Sequence, residues 1–190
     1  MIKKIGFENI RVFKELAEFE LKPVTILTGP NNAGKSTFQK MLMVLASGLK
    51  KVNNEVLLSK LEFTDNLLNT VGTIHNNITY GSDKKEIKFK FEFEDEVFGN
   101  IDANLKYKAK GKDAELVEIS FTSNSELLFS YKLINNDNFI NLSEEIYGCK
   151  INYEEIYGDY WRMDSDTYFN YISKLYDRII HLKELGRKFK

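Results

Sequence analysis

The chain has 190 residues and a nearly balanced charge, with 27 lysines and arginines against 28 aspartates and glutamates. This balance disfavours a protein that binds nucleic acid through overall basicity. Its 43% hydrophobic and 13% aromatic composition supplies a core and excludes bulk disorder. One cysteine, the lack of an apolar signal region and the absence of a membrane-length aliphatic run predict a cytoplasmic protein with no membrane partner.

The first fifty residues predict three strands and a helix. Apolar residues alternate with polar ones around positions 5–7 and again around 19–21, which indicates two short strands. Residues 24–28 form a more uniformly apolar strand, of the kind that is covered on both faces in a parallel sheet. Residues 36–49 then predict a helix, because apolar side chains recur every three or four positions at Phe38, Met41, Leu42, Leu45 and Leu49.

The middle of the chain predicts an antiparallel meander, since apolar and polar residues alternate through successive segments. Turn signals at Gly99 and Gly111 separate these segments, and a weaker strand follows at 127–133. The acids within residues 91–96 are interpreted as a solvated strand face. The apolar members of the first three strands are Ile87, Phe89, Phe91 and Phe93; Ile101, Ala103, Leu105 and Tyr107; and Val117, Ile119 and Phe121.

The last thirty residues predict a helix. Apolar residues there alternate spacings of four and three, as in the seam of a coiled coil. Only two heptads are present, so an amphipathic helix packed on the domain fits the pattern equally well.

Residues 29–37 carry the chemistry that the sequence reveals. They read Gly-Pro-Asn-Asn-Ala-Gly-Lys-Ser-Thr and fit G-x-x-x-x-G-K-[ST], the phosphate-binding loop. The glycines let successive backbone N–H groups turn inward toward an anion. Lys35 supplies a cation for the β- and γ-phosphates, Ser36 offers a hydroxyl to Mg²⁺, and the helix adds its positive dipole end. Strand, loop and helix follow in the order that the motif requires, so the sequence predicts nucleotide binding.

Two stretches resemble a family. Residues 7–13, a second strand, and residues 24–37 with their P-x-N-A-G-K-S-T loop are similar to the N-terminal lobe of ABC-type chromosomal ATPases. These include SMC, RecF and OLD-like AAA proteins, and the loop is closest to the OLD-like branch. The resemblance implies an α/β P-loop NTPase fold with an antiparallel β-meander subdomain and a C-terminal helix. Residues 1–160 would be the lobe, and residues 161–190 the start of a helical or coiled-coil arm.

The resemblance also implies a ligand and its contacts. The ligand is Mg-ATP, with Ser36 on the metal and Arg11 near the phosphates, although a solvated charge beside a strand remains an alternative reading of Arg11. A loop that senses Mg²⁺ and the γ-phosphate would lie at residues 70–77, where His75 or Asn76 replaces the usual glutamine or an ordinary surface loop is present. The residues implied to contact the phosphates are Gly29, Asn31, Asn32, Ala33, Gly34, Lys35, Ser36 and Thr37.

Several parts of an ATPase are missing from the sequence. There is no acidic pair ending a buried strand to hold Mg²⁺ and polarise water, and no glycine-bearing signature loop. His181 is interpreted as a surface residue rather than a catalytic switch. We therefore expect no catalytic residue here and negligible turnover by these 190 residues alone. A complementing C-terminal lobe, in a longer protein or a second polypeptide, would supply the rest.

The resemblance implies partners, and other functions stay open. The implied partners are a second head in a homodimer, and DNA or an effector nuclease in DNA repair or anti-phage defence. The missing acids also suit a non-hydrolysing, nucleotide-gated scaffold, which is the alternative to the ATPase lobe. A small P-loop kinase fits less well, because two strands precede the loop and no arginine-rich lid follows. A GTPase fits least, since the guanine-reading N-K-x-D motif is absent.

Overall fold

The computed structural model describes most of the chain. The described residues are 1–48, 51–52, 55–56, 60–63, 71–134, 139–142, 145–146, 149–150, 174, 176–177 and 181. Among them lies one α-helix of several turns, α1 (Lys35–Gly48). The strands are β1 (Ile2–Glu8), β2 (Ala17–Glu20), β3 (Lys51–Val52), β4 (Glu55–Val56), β5 (Lys60–Leu61), β6 (Glu86–Asp95), β7 (Gly99–Lys110), β8 (Asp113–Ser123), β9 (Glu126–Ile134), β10 (Phe139–Leu142), β11 (Glu145–Ile146) and β12 (Cys149–Lys150).

One antiparallel sheet holds most of these strands, in the order β10-β9-β8-β7-β6-β1-β2, with β5 paired to β8. Strands β6 to β9 follow one another as hairpins, so the predicted meander is confirmed. The two strands predicted near the N-terminus are confirmed as β1 and β2, which pair with each other. Strand β1 also pairs with β6, which joins the start of the chain to the meander.

The register of β8 corrects one detail of the predicted pattern. Strict alternation puts Val117 on the core face with Ile119. A register shift at this point pairs Tyr107 with Leu116, so Leu116 is the buried side chain and Val117 is half-buried. The bulge adds one residue to the strand and shifts its alternation.

Helix α1 packs on the core face of the sheet through a group of phenylalanines. Phe7 of β1 is fully buried at the centre of this group. The rings of Phe19 and Phe38 are 4.9 Å apart and meet edge to face, a favourable aromatic geometry. Because Phe38 lies in the first turn of α1, these contacts hold the N-terminal end of the helix against the sheet. The ring centroids nearest Phe7 are those of Phe13, Phe19, Phe38 and Phe89, at 5.9, 5.9, 5.6 and 5.8 Å.

The opposite face of the sheet carries cross-strand ion pairs. Lys90 illustrates them: it binds Glu18 at 2.9 Å, and that hydrogen bond lowers the pKa of Glu18 and raises the pKa of Lys90. Of the acids predicted to lie on a solvated face, Glu94 and Glu96 are exposed, whereas Glu92 and Asp95 are half-buried. Glu92 and Glu94 pair with lysines of β1. The other pairs include Lys88 with Glu8, Lys106 with Glu118, and Lys110 with Glu115.

The prediction of a strand at residues 24–28 is wrong. The segment has no regular secondary structure, and Val24 and Ile26 are each 79% exposed. A strand exists only when a neighbour accepts its backbone hydrogen bonds. In the described part of the chain, no strand lies beside this segment to do so.

The predicted C-terminal helix and the domain boundary near residue 160 lie almost wholly outside the described residues. Lys174, Tyr176, Asp177 and His181 are helical, and His181 is exposed. The Tyr176 hydroxyl donates to Asp95 at 2.5 Å, and burial together with this bond raises the pKa of Tyr176 to about 12. No helix within the described ranges is long and apolar enough to cross a bilayer.

Candidate functional site

The glycine-bordered loop of residues 29–37 leads directly into α1. Three of its residues adopt positive φ angles: Gly29 at 142°, Asn32 at 67° and Gly34 at 96°. A glycine or an asparagine tolerates this region at little cost. These angles turn the chain tightly, and the Ala33 amide closes the turn on the Pro30 carbonyl at 3.3 Å.

Gly34 allows the loop to touch the turn that follows β1. A Cβ atom at this position would lie 2.5 Å from the Phe13 ring and 2.9 Å from Val12. Glycine is therefore required at this position both by the lack of space for a side chain and by the positive φ angle. The contact seats the loop on residues 10–13, a turn closed by hydrogen bonds between Ile10 and Phe13.

Replacing Gly34 with alanine tests this contact. Gly34→Ala combines a positive φ with overpacking, so we expect it to lower the free energy of unfolding by about 2–4 kcal/mol. Gly81→Ala is the matched control, because Gly81 has a φ of 76° and nothing within 4 Å of the added Cβ. Gly81→Ala should lower the free energy of unfolding by about 1 kcal/mol, because it adds only the strain of a positive φ angle. Urea denaturation of both variants measures the difference, and equal losses would refute the steric contact.

The start of α1 presents unpaired backbone donors. The N–H groups of Gly34, Lys35, Ser36 and Thr37 donate to no acceptor in the described part of the chain, whereas the Phe38 amide bonds to the Gly34 carbonyl at 2.8 Å. No acidic residue occupies the first turn of the helix. Orphan N–H groups and the positive end of the helix dipole together form a site for an anion.

Lys35 lies across the loop. Its ammonium group donates to the carbonyl oxygens of Gly29 and Pro30, at 2.7 Å in each case. This places the cation within the curve of the glycine-bordered bend, on the same segment as the orphan amides. A cation held by carbonyl oxygens beside free N–H donors suits a polyphosphate, which needs both kinds of donor.

The hydroxyl groups of the loop differ in exposure. Ser36 is exposed and free to approach a metal ion, while Thr37 is 5% exposed and faces the domain. Within the described ranges, no group of three or more histidine, cysteine or acidic residues is placed to hold a metal ion. The exposed Ser36 hydroxyl would suit a metal ion that is also bound by phosphate oxygens.

Arg11 lies within the turn of residues 10–13 that supports the loop, and its side chain bonds to Asn77 and Val71. Its Nε atom donates to Asn77 Oδ1 at 2.7 Å, and one terminal nitrogen donates to the Val71 carbonyl at 3.3 Å. The Arg11 backbone N–H also bonds to the Asn77 carbonyl at 2.8 Å. Arg11 thus connects residues 10–13 to residues 71–77.

The two candidates in the second loop have local partners. His75 contacts the Gly111 carbonyl at 3.0 Å, in the turn between β7 and β8. Asn76 accepts a hydrogen bond from the Thr73 hydroxyl at 2.8 Å. Both residues are exposed. A short 3-10 helix, Ile74–Asn76, forms this part of the loop, and the Ile74 amide bonds to the Lys112 carbonyl.

Asn77 is the functional candidate that sequence reasoning missed. It is fully buried, and its amide donates to the carbonyls of Val71 and Thr73 at 2.9 and 2.8 Å. Asn9 is similar: it is 6% exposed and donates to the carbonyls of Lys84 and Glu86. The Asn77 side-chain oxygen also accepts the hydrogen bond from Arg11. Buried polar side chains with such individual partners leave no periodic signal in a sequence.

The glycine-bordered loop and the helix that follows it match the P-loop pattern of nucleotide-binding domains, and the described part of the chain combines them with a large antiparallel sheet in an α/β domain. An AAA domain family model matches residues 4–185, nearly the whole chain, and the chain belongs to this family. Membership implies nucleotide binding, and generally ATPase activity with Mg²⁺. No curated protein matches the chain.

Proposed function

We propose that this chain is the ATP-binding lobe of an ABC-type ATPase of the SMC, RecF and OLD-like group. One observation carries the nucleotide-binding part of the proposal: four orphan N–H groups at the start of α1 share a glycine-bordered bend with the Lys35 ammonium. The assignment to this group rests on the resemblance of residues 7–13 and 24–37 alone. Residues 31–37 and Gly29 would wrap the phosphates, and Ser36 would offer its hydroxyl to Mg²⁺. The metal ion would neutralise part of the phosphate charge.

Hydrolysis requires groups from a complementing C-terminal lobe. Two features support this part of the proposal. The sequence has no acidic pair at the end of a buried strand to hold Mg²⁺ or orient water. Residues 24–28, which lead into the loop, carry exposed Val24 and Ile26. A complementing lobe would cover these two apolar side chains, which lie in a segment without regular secondary structure.

The assembly follows from the same resemblance. Two heads, each completed by its second lobe, close around ATP, and an arm that begins near residue 161 transmits the movement. The effector belongs to DNA metabolism or anti-phage defence, by analogy with the group alone.

Thermal unfolding with Mg-ATP and with Mg-GTP tests the binding function. A ligand at about 100 times its dissociation constant adds about 2.7 kcal/mol of stability, so Mg-ATP should raise the melting temperature and chelation of Mg²⁺ should reduce the effect. Phosphate release by the chain alone should stay at background. Indifference to both nucleotides would refute the binding function, and ATP turnover by these 190 residues would refute the need for a second lobe. ATP binding without turnover in the completed assembly would support the scaffold function instead.

A further inference from the structure

We propose that Arg11 is a positioning residue that acts through Asn77, and that together they couple residues 71–77 to the phosphate-binding loop. The inference deepens the proposed function and rests on it for its effect on nucleotide affinity. It assigns Arg11 a role other than contact with a phosphate group.

The first step is the bond between Arg11 and Asn77. The Arg11 guanidinium donates to Asn77 Oδ1 and to the Val71 carbonyl, so it reaches the beginning and the end of residues 71–77. Asn77 reinforces the same segment from within, by donating to the carbonyls of Val71 and Thr73. The segment is thereby closed into a compact loop with Asn77 at its centre.

The second step joins this loop to the turn after β1. The Arg11 backbone has a φ of 49°, and its N–H bonds to the Asn77 carbonyl. Ile10 forms a β-bridge with Ile78 on one side and with Phe13 on the other. Residues 10–13 and 71–78 therefore move as one unit unless several hydrogen bonds break.

The third step reaches the phosphate-binding loop. Val12 and Phe13, which directly follow Arg11, are the residues that leave no space for a Cβ atom on Gly34. A displacement of the turn by a fraction of an ångström would shift Gly34 and the orphan N–H groups that follow it. Packed interfaces transmit such shifts because their interiors have few voids.

The geometry of the guanidinium distinguishes positioning from charge. The planar guanidinium reaches two acceptors at once. A lysine has a single ammonium nitrogen and does not reproduce this geometry. If Arg11 acted on phosphate as a cation, Arg11→Lys would retain most of its effect. If it acts through Asn77 and Val71, Arg11→Lys should resemble Arg11→Ala.

Titration of the full chain with Mg-ATP tests the inference. We expect Arg11→Lys and Arg11→Ala each to raise the dissociation constant by about fivefold or more. Asn77→Leu should do the same, and the double variant Arg11→Ala with Asn77→Leu should be no weaker than either single variant. Ser123→Ala is the matched control for lost stability, since Ser123 is 7% exposed and donates to the Phe98 carbonyl away from the loop. It should leave the dissociation constant within about twofold.

Hydrogen exchange without nucleotide separates this inference from the proposed function. In Arg11→Lys, the backbone amides of Ile74, Asn77 and Phe38 should all exchange faster. The increase should exceed the one that lost global stability causes by itself, which Ser123→Ala measures. Faster exchange confined to the second loop, or near-normal ATP affinity in Arg11→Lys, would overturn the coupling. If Phe38 responds but no variant or wild-type chain binds ATP, the coupling stands and the binding function fails.

Discussion

Substitution of Lys35 by alanine should remove about half or more of the nucleotide-dependent stabilisation of the chain. A charge-assisted hydrogen bond contributes about 1.5–3 kcal/mol, so its loss should weaken Mg-ATP binding about tenfold to hundredfold. At a nucleotide concentration about 100 times the wild-type dissociation constant, the stabilisation should fall from about 2.7 kcal/mol to between about 0.4 and 1.4 kcal/mol. Thermal unfolding with and without Mg-ATP measures both quantities.

The control for Lys35→Ala is Lys108→Ala. Lys108 is an exposed residue of β7, so its removal changes the net charge by the same amount without touching the loop. It should leave the ATP-dependent shift intact. An equal shift in the wild type and in Lys35→Ala would mean that the ammonium takes no part in binding.

Substitution of Phe7 by alanine should cause the largest loss of stability in the domain. Phe7 is fully buried and lies within 6 Å of four other phenylalanine rings, measured between centroids. Truncation of a buried phenylalanine costs about 3–5 kcal/mol, because it removes apolar burial and leaves a cavity. Since α1 rests on this group through Phe38, the start of the helix and the loop before it should loosen as well.

Urea denaturation measures this effect, with Tyr80→Ala as the control. Tyr80 is a completely exposed aromatic residue, and its removal should change the free energy of unfolding by less than about 0.5 kcal/mol. If Phe7→Ala fails to fold, Phe7→Leu retains most of the volume and should give a smaller, measurable loss. A loss below about 1 kcal/mol in Phe7→Ala would contradict the central place of Phe7 in the core.

The sequence predicts those parts of the fold whose side chains alternate or repeat. The strands around Phe89 and Leu105 and the helix after Gly34 were predicted because one face of each is buried, and burial on one face produces a period. The bulge at Val117 was not predictable, because a single added residue changes the alternation without any signal of its own.

The strand predicted at residues 24–28 failed for a different reason. Residues 24–28 are as apolar as a strand that is buried on both faces of a sheet. Such a composition indicates that the segment would be stable as a buried strand, but not that other strands are there to bury it. Whether that environment is present depends on neighbouring strands, which the sequence of the segment does not specify.

The candidate site was predicted in part. The loop from Gly29 to Thr37 has a fixed pattern, since each position has a separate steric or chemical requirement. The partner of Arg11 was not predicted, because Arg11 and Asn77 are 66 residues apart and meet only when the turn after β1 reaches the second loop. The roles assigned to Ser36, Arg11 and the loop amides stay predictions until binding is measured.

The pairing of β1 with β6 has a consequence for the order in which the domain folds. Glu8 and Lys88, which meet across these two strands, are 80 residues apart in the chain, whereas β6 to β9 are joined by short turns. Contacts between distant residues form more slowly than hairpins, because a long loop must first close. The meander can therefore assemble early, and the bend before α1 acquires its shape only when the first strand arrives at the sheet. A kinetic probe on Phe38 would then report a later event than a probe on Phe121.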